Sequence, residues 1–198
     1  MTTVQRHLRD APAPAPSSWL TLDGGRDIRL SPDNARLTFD VQWLAGWVVR
    51  GTFSDFDGLL RLPAADEAGV ATLEVAVAAA SVRTGIALRD RHLRGADYLD
   101  AAHHPKIVFR ASSAPPRSSR LLVPGRLALR GVERLEQLEI VPDDGDGSDL
   151  AFLGTIRIRR EAYGVGIPGG LKRLDPRFRA VGSEVRVQAV VRVPSTGR

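Results

Sequence analysis

The sequence predicts an all-β protein, a closed antiparallel barrel of about eight strands with one short helix at its rim. Two observations lead to this fold class. Stretches with an apolar residue at every second position recur along the chain, and Gly-, Pro- and Asp-containing turns separate them. Strands and helices do not alternate regularly, which argues against a doubly wound parallel sheet.

The last strand candidate, 185–193, shows this alternation most clearly, because every odd position in it is apolar. Successive side chains of a strand point to opposite faces, so the odd positions are expected to face the interior. The other strand candidates lie at 19–30, 37–43, 47–53, 59–62, 70–79, 106–110, 121–123, 126–130, 135–141 and 151–159.

One short helix interrupts this β pattern. Thr84 is a suitable N-cap, residues 86–94 contain good helix formers, and Gly95 ends a helix easily. In a chain that is otherwise β, we expect such a helix to cover the apolar interior at the barrel rim. The covering side chains would be Leu93, Tyr98 and Leu99.

Length and composition favour a single domain. With 198 residues, 43% of them hydrophobic, the chain can bury one sizeable core. Residues 1–18 contain an Ala-Pro repeat without an apolar face and are expected to be a disordered extension, so the barrel domain spans 19–194. The absence of cysteine excludes disulfides, thiolate metal sites and a cysteine nucleophile.

The formal net charge is +5, but the basic residues are scattered singly and are not interleaved with aromatic residues. We therefore interpret them as a solvated surface and do not expect nucleic-acid binding. No apolar run is long enough for a signal peptide or a membrane span, which favours the cytoplasm. Transient membrane contact and a homodimer are both compatible with the sequence.

Two short stretches match binding motifs only in part. Residues 164–169 fit G-x-G-x-x-G, but Pro168 lies inside the match and no helix follows, so a flexible loop is the preferred interpretation. The acidic loop 143–149 lacks the glycine and the glutamate of a calcium-binding loop, and we interpret it as a solvated loop.

His92, His103 and His104, with Asp90 and Asp100, are the only cluster suited to metal binding or acid–base chemistry. No H-x-x-x-H pair supports a metal site there. The structural alternative is a polar network of Arg89, Asp90 and His92 that holds the helix to the rim. No cofactor is expected.

The inward-facing apolar side chains have two interpretations. They are either an ordinary packed core or the lining of a ligand tunnel, since a barrel of about eight strands accommodates either. The candidate lining residues are Phe39, Val41, Trp43, Phe53, Val75, Ile107, Phe109, Ile156, Ile158 and Val187.

The stretch 80–109 resembles the signature of the YceI-like family, which reads A-S-hydrophobic-x-T-G, R-D-x-H-L, F/Y-hydrophobic-D and P-x-hydrophobic-x-F. The matching residues are Ala80, Ser81, Val82, Thr84, Gly85, Arg89, Asp90, His92, Leu93, Tyr98, Leu99, Asp100, Pro105, Ile107 and Phe109. The turn at 129–132 is similar to the I-R-G-V turn of that family. Trp43 departs from the pattern, because the family commonly has a histidine there.

The resemblance implies a lipocalin-like barrel that binds a polyisoprenoid, such as the tail of an isoprenoid quinone, without catalysis. Under this hypothesis, Arg89, Arg91 and Arg94 near the mouth would meet a head group. Two alternatives stay open: an enzyme that uses the region of His92, His103 and His104, or a scaffold whose barrel is filled.

Overall fold

A strongly curled antiparallel sheet, a half-barrel, makes up most of the structure. The computed structural model describes residues 25–43, 46–63, 70–113, 120–143, 150–167 and 181–193. The predicted extension, 1–18, lies outside these ranges. Within them, eleven strands form one sheet in the order β1-β4-β5-β7-β8-β9-β10-β11-β2-β3-β6, and all the pairings are antiparallel. The strands are β1 (Arg26–Leu30), β2 (Ala35–Trp43), β3 (Trp47–Phe53), β4 (Phe56–Leu62), β5 (Ala71–Ala78), β6 (Val82–Arg83), β7 (Lys106–Ser113), β8 (Leu121–Leu129), β9 (Val132–Asp143), β10 (Leu150–Arg159) and β11 (Val181–Val193).

The predicted all-β class is confirmed, and the number of strands exceeds the predicted eight or so because two long runs bend. Only Ser54 and Asp55 separate β3 from β4, and a 3₁₀ turn, Ala79–Ser81, separates β5 from β6. Both bends are held together, since Ala78 N donates to Asp55 O at 3.0 Å and Ser54 N donates to Ser81 O at 3.3 Å.

β8 is a single strand where the sequence predicts two short ones. Pro124 suggested a break, because proline has no N–H for a ladder. However, the described ladder with β7 stops at the pair Ala111–Gly125, so Pro124 has a strand partner only in β9. Proline is tolerated where one side of the strand is unpaired.

The predicted helix is present as α1 (Ala87–Arg94), and it ends at Gly95 as expected. A tight turn at Arg130 and Gly131 connects β8 to β9, with φ values of 51° and 73°. Such left-handed pairs match the twist of a two-residue hairpin.

The two ends of the curled sheet differ in what fills them. The far end is filled by Ile28, Leu30, Leu62 and Val193, which are all buried. At the other end, the helix end, α1 and the β8–β9 turn lie close to the 3₁₀ turn Arg160–Tyr163. Arg130 connects them, because its guanidinium donates to Ala96 O at 2.6 Å and to Gly164 O.

Candidate functional site

An apolar cavity of about 230 Å³ lies inside the curled sheet, between the far-end cluster and the helix end. Strands β2, β3, β5, β6, β7, β8, β9, β10 and β11 contribute to its wall. The lining comprises Leu37, Phe39, Val41, Phe53, Leu73, Val75, Val77, Val82, Leu93, Tyr98, Leu99, Ile107, Phe109, Leu127, Leu129, Leu138, Gly154, Ile156, Ile158, Arg160, Val165, Val181, Val185, Val187 and Ala189.

Nine of the ten apolar residues predicted to face the interior lie in this lining. They are Phe39, Val41, Phe53, Val75, Ile107, Phe109, Ile156, Ile158 and Val187. The period-2 pattern places them there, because each wall strand presents every second side chain to the interior. Their role in binding a ligand stays a prediction.

Trp43 is the exception. It is 42% exposed and does not line the cavity, although it has the same parity as Phe39 and Val41. The pairing between β2 and β11 shifts register at this point: Val41 is opposite Val185, whereas Trp43 is opposite Val181. This irregularity lies at the helix end of β2, so Trp43 sits at the rim, outside the wall.

Small residues leave room for the cavity in one part of the wall. Gly154 and Ala189 are direct partners across β10 and β11, and Ala189 is opposite Leu37 of β2. Sequence reasoning identified Ala189 as inward-facing but gave it no role, and it passed over Gly154. Small side chains in a strand pattern were the available signal.

Leu93, Tyr98 and Leu99 line the cavity from the helix end, as their positions in the sequence indicated. Leu99 N donates to Leu93 O at 3.0 Å, which folds the segment after α1 back against the helix. The cover is therefore built from one side chain of α1 and two from the following turn.

A buried carboxylate fixes the start of α1. Asp90 is 8% exposed, and its Oδ1 accepts hydrogen bonds from Thr84 N at 2.8 Å and Thr84 Oγ1 at 2.5 Å. The Thr84 hydroxyl hydrogen bond, together with the charges of Arg94 and Arg89, lowers the pKa of Asp90. The prediction that Thr84 is the N-cap is wrong: Ile86 occupies that position without a side-chain hydrogen bond, and Thr84 binds Asp90.

The three arginines predicted to meet a head group have different environments, and none lines the cavity. Arg89 donates to Thr84 Oγ1 at 2.7 Å and to Thr84 O at 2.9 Å, so it belongs to the network of Asp90. Arg94 donates to Val82 O at 3.0 Å, while its Nε is buried and has no hydrogen-bond partner among the described residues. Arg91 is exposed. A head-group role for these residues stays a prediction.

The histidines do not form a common site in the part of the chain that the structure describes. His92 is exposed and lies outside the network of Arg89 and Asp90. His103 Nδ1 lies 2.8 Å from Asp100 Oδ1, a contact that lowers the pKa of Asp100. His104 packs on Gly131. The described residues contain no group of three or more His, Cys, Asp or Glu placed to hold a metal ion.

Arg160 is the one charged residue among the lining residues described, and sequence reasoning did not select it. It is 7% exposed. Its guanidinium donates to Gly182 O at 2.8 Å, Val181 O at 2.9 Å, Val165 O at 3.0 Å and Gly166 O at 3.1 Å, and it lies 3.1 Å from Glu161 Oε1. Backbone carbonyls thus surround this cation, and it joins β11 to the turn after the 3₁₀ turn.

Tyr163 lies in the same 3₁₀ turn as Arg160. It is 1% exposed, and its hydroxyl donates to Glu136 Oε1 at 2.6 Å. Burial, reinforced by the hydrogen bond to Glu136, raises the pKa of Tyr163. Gly164 and Gly166 follow with φ values of 69° and 68°, so the described part of the glycine-rich motif forms a turn.

The acidic loop predicted to be solvated falls largely outside the described residues, because residues 144–149 are not among them.

Among the described helices, none has the length and apolar character needed to cross a bilayer.

Comparison with known proteins gives matches in both sequence and structure. Residues 29–193 match the model of the YceI-like domain. Protein YceI of Escherichia coli O157:H7 is 36% identical over 110 residues, a match that spans 54% of this chain and 55% of that protein. The chain thus covers about half the length of this relative.

Two proteins of known structure share the fold at low sequence identity. Burkholderia cenocepacia BcnA matches with a TM-score of 0.70 and 20% identity, over 83% of this chain and 99% of that chain. A polyisoprenoid binding domain from Saccharophagus degradans matches with a TM-score of 0.60 and 18% identity, over 85% of this chain and 98% of that chain. Because the family model covers most of the chain, this protein belongs to the YceI-like domain family.

Proposed function

We propose that this protein binds the tail of a long isoprenoid or a similar lipid inside the cavity, without converting it chemically. The observation that carries the proposal is the lining: apart from Arg160 and the Tyr98 hydroxyl, the side chains in contact with the cavity are apolar. The likeness to the S. degradans polyisoprenoid binding domain supports the same ligand class.

We also infer that the sheet closes into a barrel around the ligand. β6 pairs with the last two residues of β3, and β5 pairs with β4, so the bent run β5–β6 lies beside the bent run β3–β4 on both sides of the bend. β3 also pairs with β2, and β5 also pairs with β7. These pairings support a continuous circuit of strands, which would leave no exposed sheet edge along the cavity.

The state of Arg160 favours an uncharged segment of the ligand in the interior. Its N–H groups are directed to four backbone carbonyls and Glu161, so no donor is left for a phosphate or carboxylate in the cavity. An anionic group in the interior would lose its hydration without gaining a partner. We therefore expect the polar group of the ligand to stay outside the wall.

The energetics are compatible with binding by burial alone. Each methylene group taken out of water contributes about 0.8 kcal/mol, so one five-carbon isoprene unit contributes about 4 kcal/mol before ordering costs. A cavity of about 230 Å³ is somewhat smaller than a usual small-molecule site of roughly 300–1,000 Å³. It therefore fits a slender chain better than a broad ring system.

The test is extraction of the purified protein with organic solvent, followed by mass spectrometry of the extract. We expect a hydrophobic molecule at close to one equivalent per chain. Ala189→Phe should abolish its retention, because the new ring would occupy the space beside Gly154 and Leu37. Val190→Phe is the matched control, since position 190 points to the opposite face of β11 and should keep the molecule.

Two results would contradict the proposal. One is a wild-type protein that contains no extractable hydrophobic molecule and takes up no added polyprenol. The other is a folded Ala189→Phe variant that retains as much of the molecule as Val190→Phe does.

A further inference from the structure

Exposed tryptophans lie at the helix end of the sheet, one at the end of β2 and one at the start of β3. Trp43 and Trp47 are direct partners across this hairpin, and they are 42% and 75% exposed. Single exposed apolar residues are common on protein surfaces, but two paired tryptophans that are both exposed form a contiguous patch.

This patch lies beside the cavity. Trp43 is paired with Val181, and Val181 lines the cavity. Arg160 holds Val181 O at 2.9 Å and Gly166 O at 3.1 Å, while Gly166 N donates to Asp97 O at 2.7 Å, next to the covering residue Tyr98. A short series of direct contacts thus connects the tryptophan pair to the cover of the cavity.

A second apolar group flanks α1 at the same end. Ile86 is 52% exposed and Leu88 is 61% exposed. β6 pairs with the last two residues of β3, and because this pairing is antiparallel, the chain that continues from β6 into α1 runs towards the end of β3 that holds Trp47. The helix end therefore carries apolar side chains on two neighbouring segments of the chain.

An exposed arginine of α1 indicates the kind of partner. Of the three arginines in this helix, Arg89 and Arg94 donate hydrogen bonds within the protein, and the one acidic residue, Asp90, is buried. Arg91 is exposed and lies one turn from Leu88 on the same side of the helix. Tryptophan and exposed aliphatic residues next to arginine are the combination that binds the interface of an anionic membrane.

We propose that the helix end, formed by Trp43, Trp47, Ile86, Leu88 and Arg91, docks on an anionic lipid surface. Docking there brings the cover of the cavity to the membrane, where a long isoprenoid chain resides, so that the chain enters or leaves without crossing water. This inference extends the proposed function, because it assigns the surface at which loading takes place.

The test is flotation of the full chain with vesicles of phosphatidylcholine alone and of phosphatidylcholine with one quarter phosphatidylglycerol. We expect binding to the anionic vesicles that weakens as salt is raised, since exposed charges are screened. Trp43→Ser combined with Trp47→Ser should reduce the partition coefficient roughly tenfold. Leu122→Ser is the matched control, because Leu122 is 51% exposed on the outer wall at the start of β8 and should not contribute.

Circular dichroism and thermal unfolding of each variant establish that the fold is retained. Tryptophan emission of a Trp19→Phe protein should also shift to shorter wavelength and be quenched by brominated lipid, because only Trp43 and Trp47 then report. Neither tryptophan lines the cavity, so the double variant should still contain its hydrophobic molecule.

Three results would overturn the inference: no binding of the wild-type protein to anionic vesicles, equal binding by the double tryptophan variant, or an equal loss in Leu122→Ser. A change in sedimentation from dimer to monomer in the double variant, without any vesicle binding by the wild type, would assign the surface to a second copy instead. Organic extraction of the same samples tests the proposed function separately. A protein that contains the hydrophobic molecule but does not bind anionic vesicles contradicts only the membrane docking.

Discussion

The ring of Phe39 lies over Gly51, its direct partner across the β2–β3 ladder. A Cβ at position 51 would be 2.4 Å from Cε1 and Cζ of Phe39 and 2.8 Å from Arg83 O. The same arrangement recurs where Phe109 covers Gly125 of β8, with a distance of 2.2 Å to its Cζ. At both places glycine lets an aromatic ring lie against the wall, so the centre of the cavity stays open.

Gly51→Ala should therefore lower the free energy of unfolding by roughly 1–3 kcal/mol, as overpacking does in other cores. Combination with Phe39→Leu should recover about 1 kcal/mol of that loss, since the shorter side chain moves away while the contact with Arg83 O remains. Urea unfolding of the wild type, the two single variants and the double variant measures the coupling free energy between positions 39 and 51.

Gly154→Ala is the matched control, because its Cβ would be 3.3 Å from the mobile end of Leu138 and 3.8 Å from the nearest backbone atom. We expect a change of less than about 1 kcal/mol. Strictly additive effects of Gly51→Ala and Phe39→Leu would contradict the contact described above.

Arg160→Met should lower the free energy of unfolding by about 3–5 kcal/mol, although methionine has nearly the same length. The loss leaves four carbonyl groups without a donor, at Val165, Gly166, Val181 and Gly182. Chemical denaturation measures the effect. Arg159→Met is the control, because Arg159 is exposed, and it should change the stability by less than about 0.5 kcal/mol. Similar losses in both variants would rule out the special role of Arg160.

Tyr163→Phe should cost about 1–2 kcal/mol at neutral pH, because it leaves Glu136 without its buried donor. Burial raises the pKa of Tyr163 above the value of 10.0 that an unperturbed tyrosine has. The stability that this shift contributes is complete below pH 10 and is lost as the pH rises towards the folded-state pKa. The difference between wild type and Tyr163→Phe should therefore shrink between pH 9 and pH 11, measured by urea unfolding at each pH. A constant difference would contradict the raised pKa.

Asp90→Asn should loosen the start of α1, because the carboxylate that accepts two hydrogen bonds from Thr84 is replaced by an amide. Amide hydrogen exchange should become faster at Thr84 and in the first turn of the helix. Since the pKa of Asp90 is lowered in the folded protein, its contribution is present above its unfolded value of 3.8 and is lost as the pH falls below it.

The wild-type protein should thus approach the exchange behaviour of Asp90→Asn in acid. His92→Gln is the control, because His92 is exposed on the same helix and should leave the exchange of Thr84 unchanged. Equal exchange in Asp90→Asn and wild type at neutral pH would show that the network does not hold the helix.

Much of the wall was predictable, because the apolar alternation of a strand is local. Val185, Val187 and Ala189 line the cavity as the pattern in β11 indicates, and Val193 of the same face is buried in the far-end cluster. The same reasoning failed at Trp43, since the shift in register that places it at the rim arises in β11, 138 residues further along the chain at Val181. The alternation of odd and even positions in one strand does not show where the pairing with a neighbouring strand shifts.

Arg160 and Thr84 show a second limit of the sequence. Arginine usually lies at the surface, so nothing in the local sequence distinguishes Arg160 from the exposed Arg159. Two of the four carbonyl groups that surround it belong to Val181 and Gly182, which only the return of the chain brings close. Thr84 has the right residue type for an N-cap, but the nearby Asp90 carboxylate turns inward and takes its hydrogen bonds.

The sequence by itself determined the all-β class, the family, and which side chains of each strand face inward, because these depend on residue type and on a period of two. The tertiary structure decided how far the inward rows extend, which polar groups are buried with partners, and that space is left between the far-end cluster and the helix end. The physical reason is that curvature, register and burial arise from contacts between segments distant in the chain. Such contacts do not produce a repeating pattern of residue types in either segment.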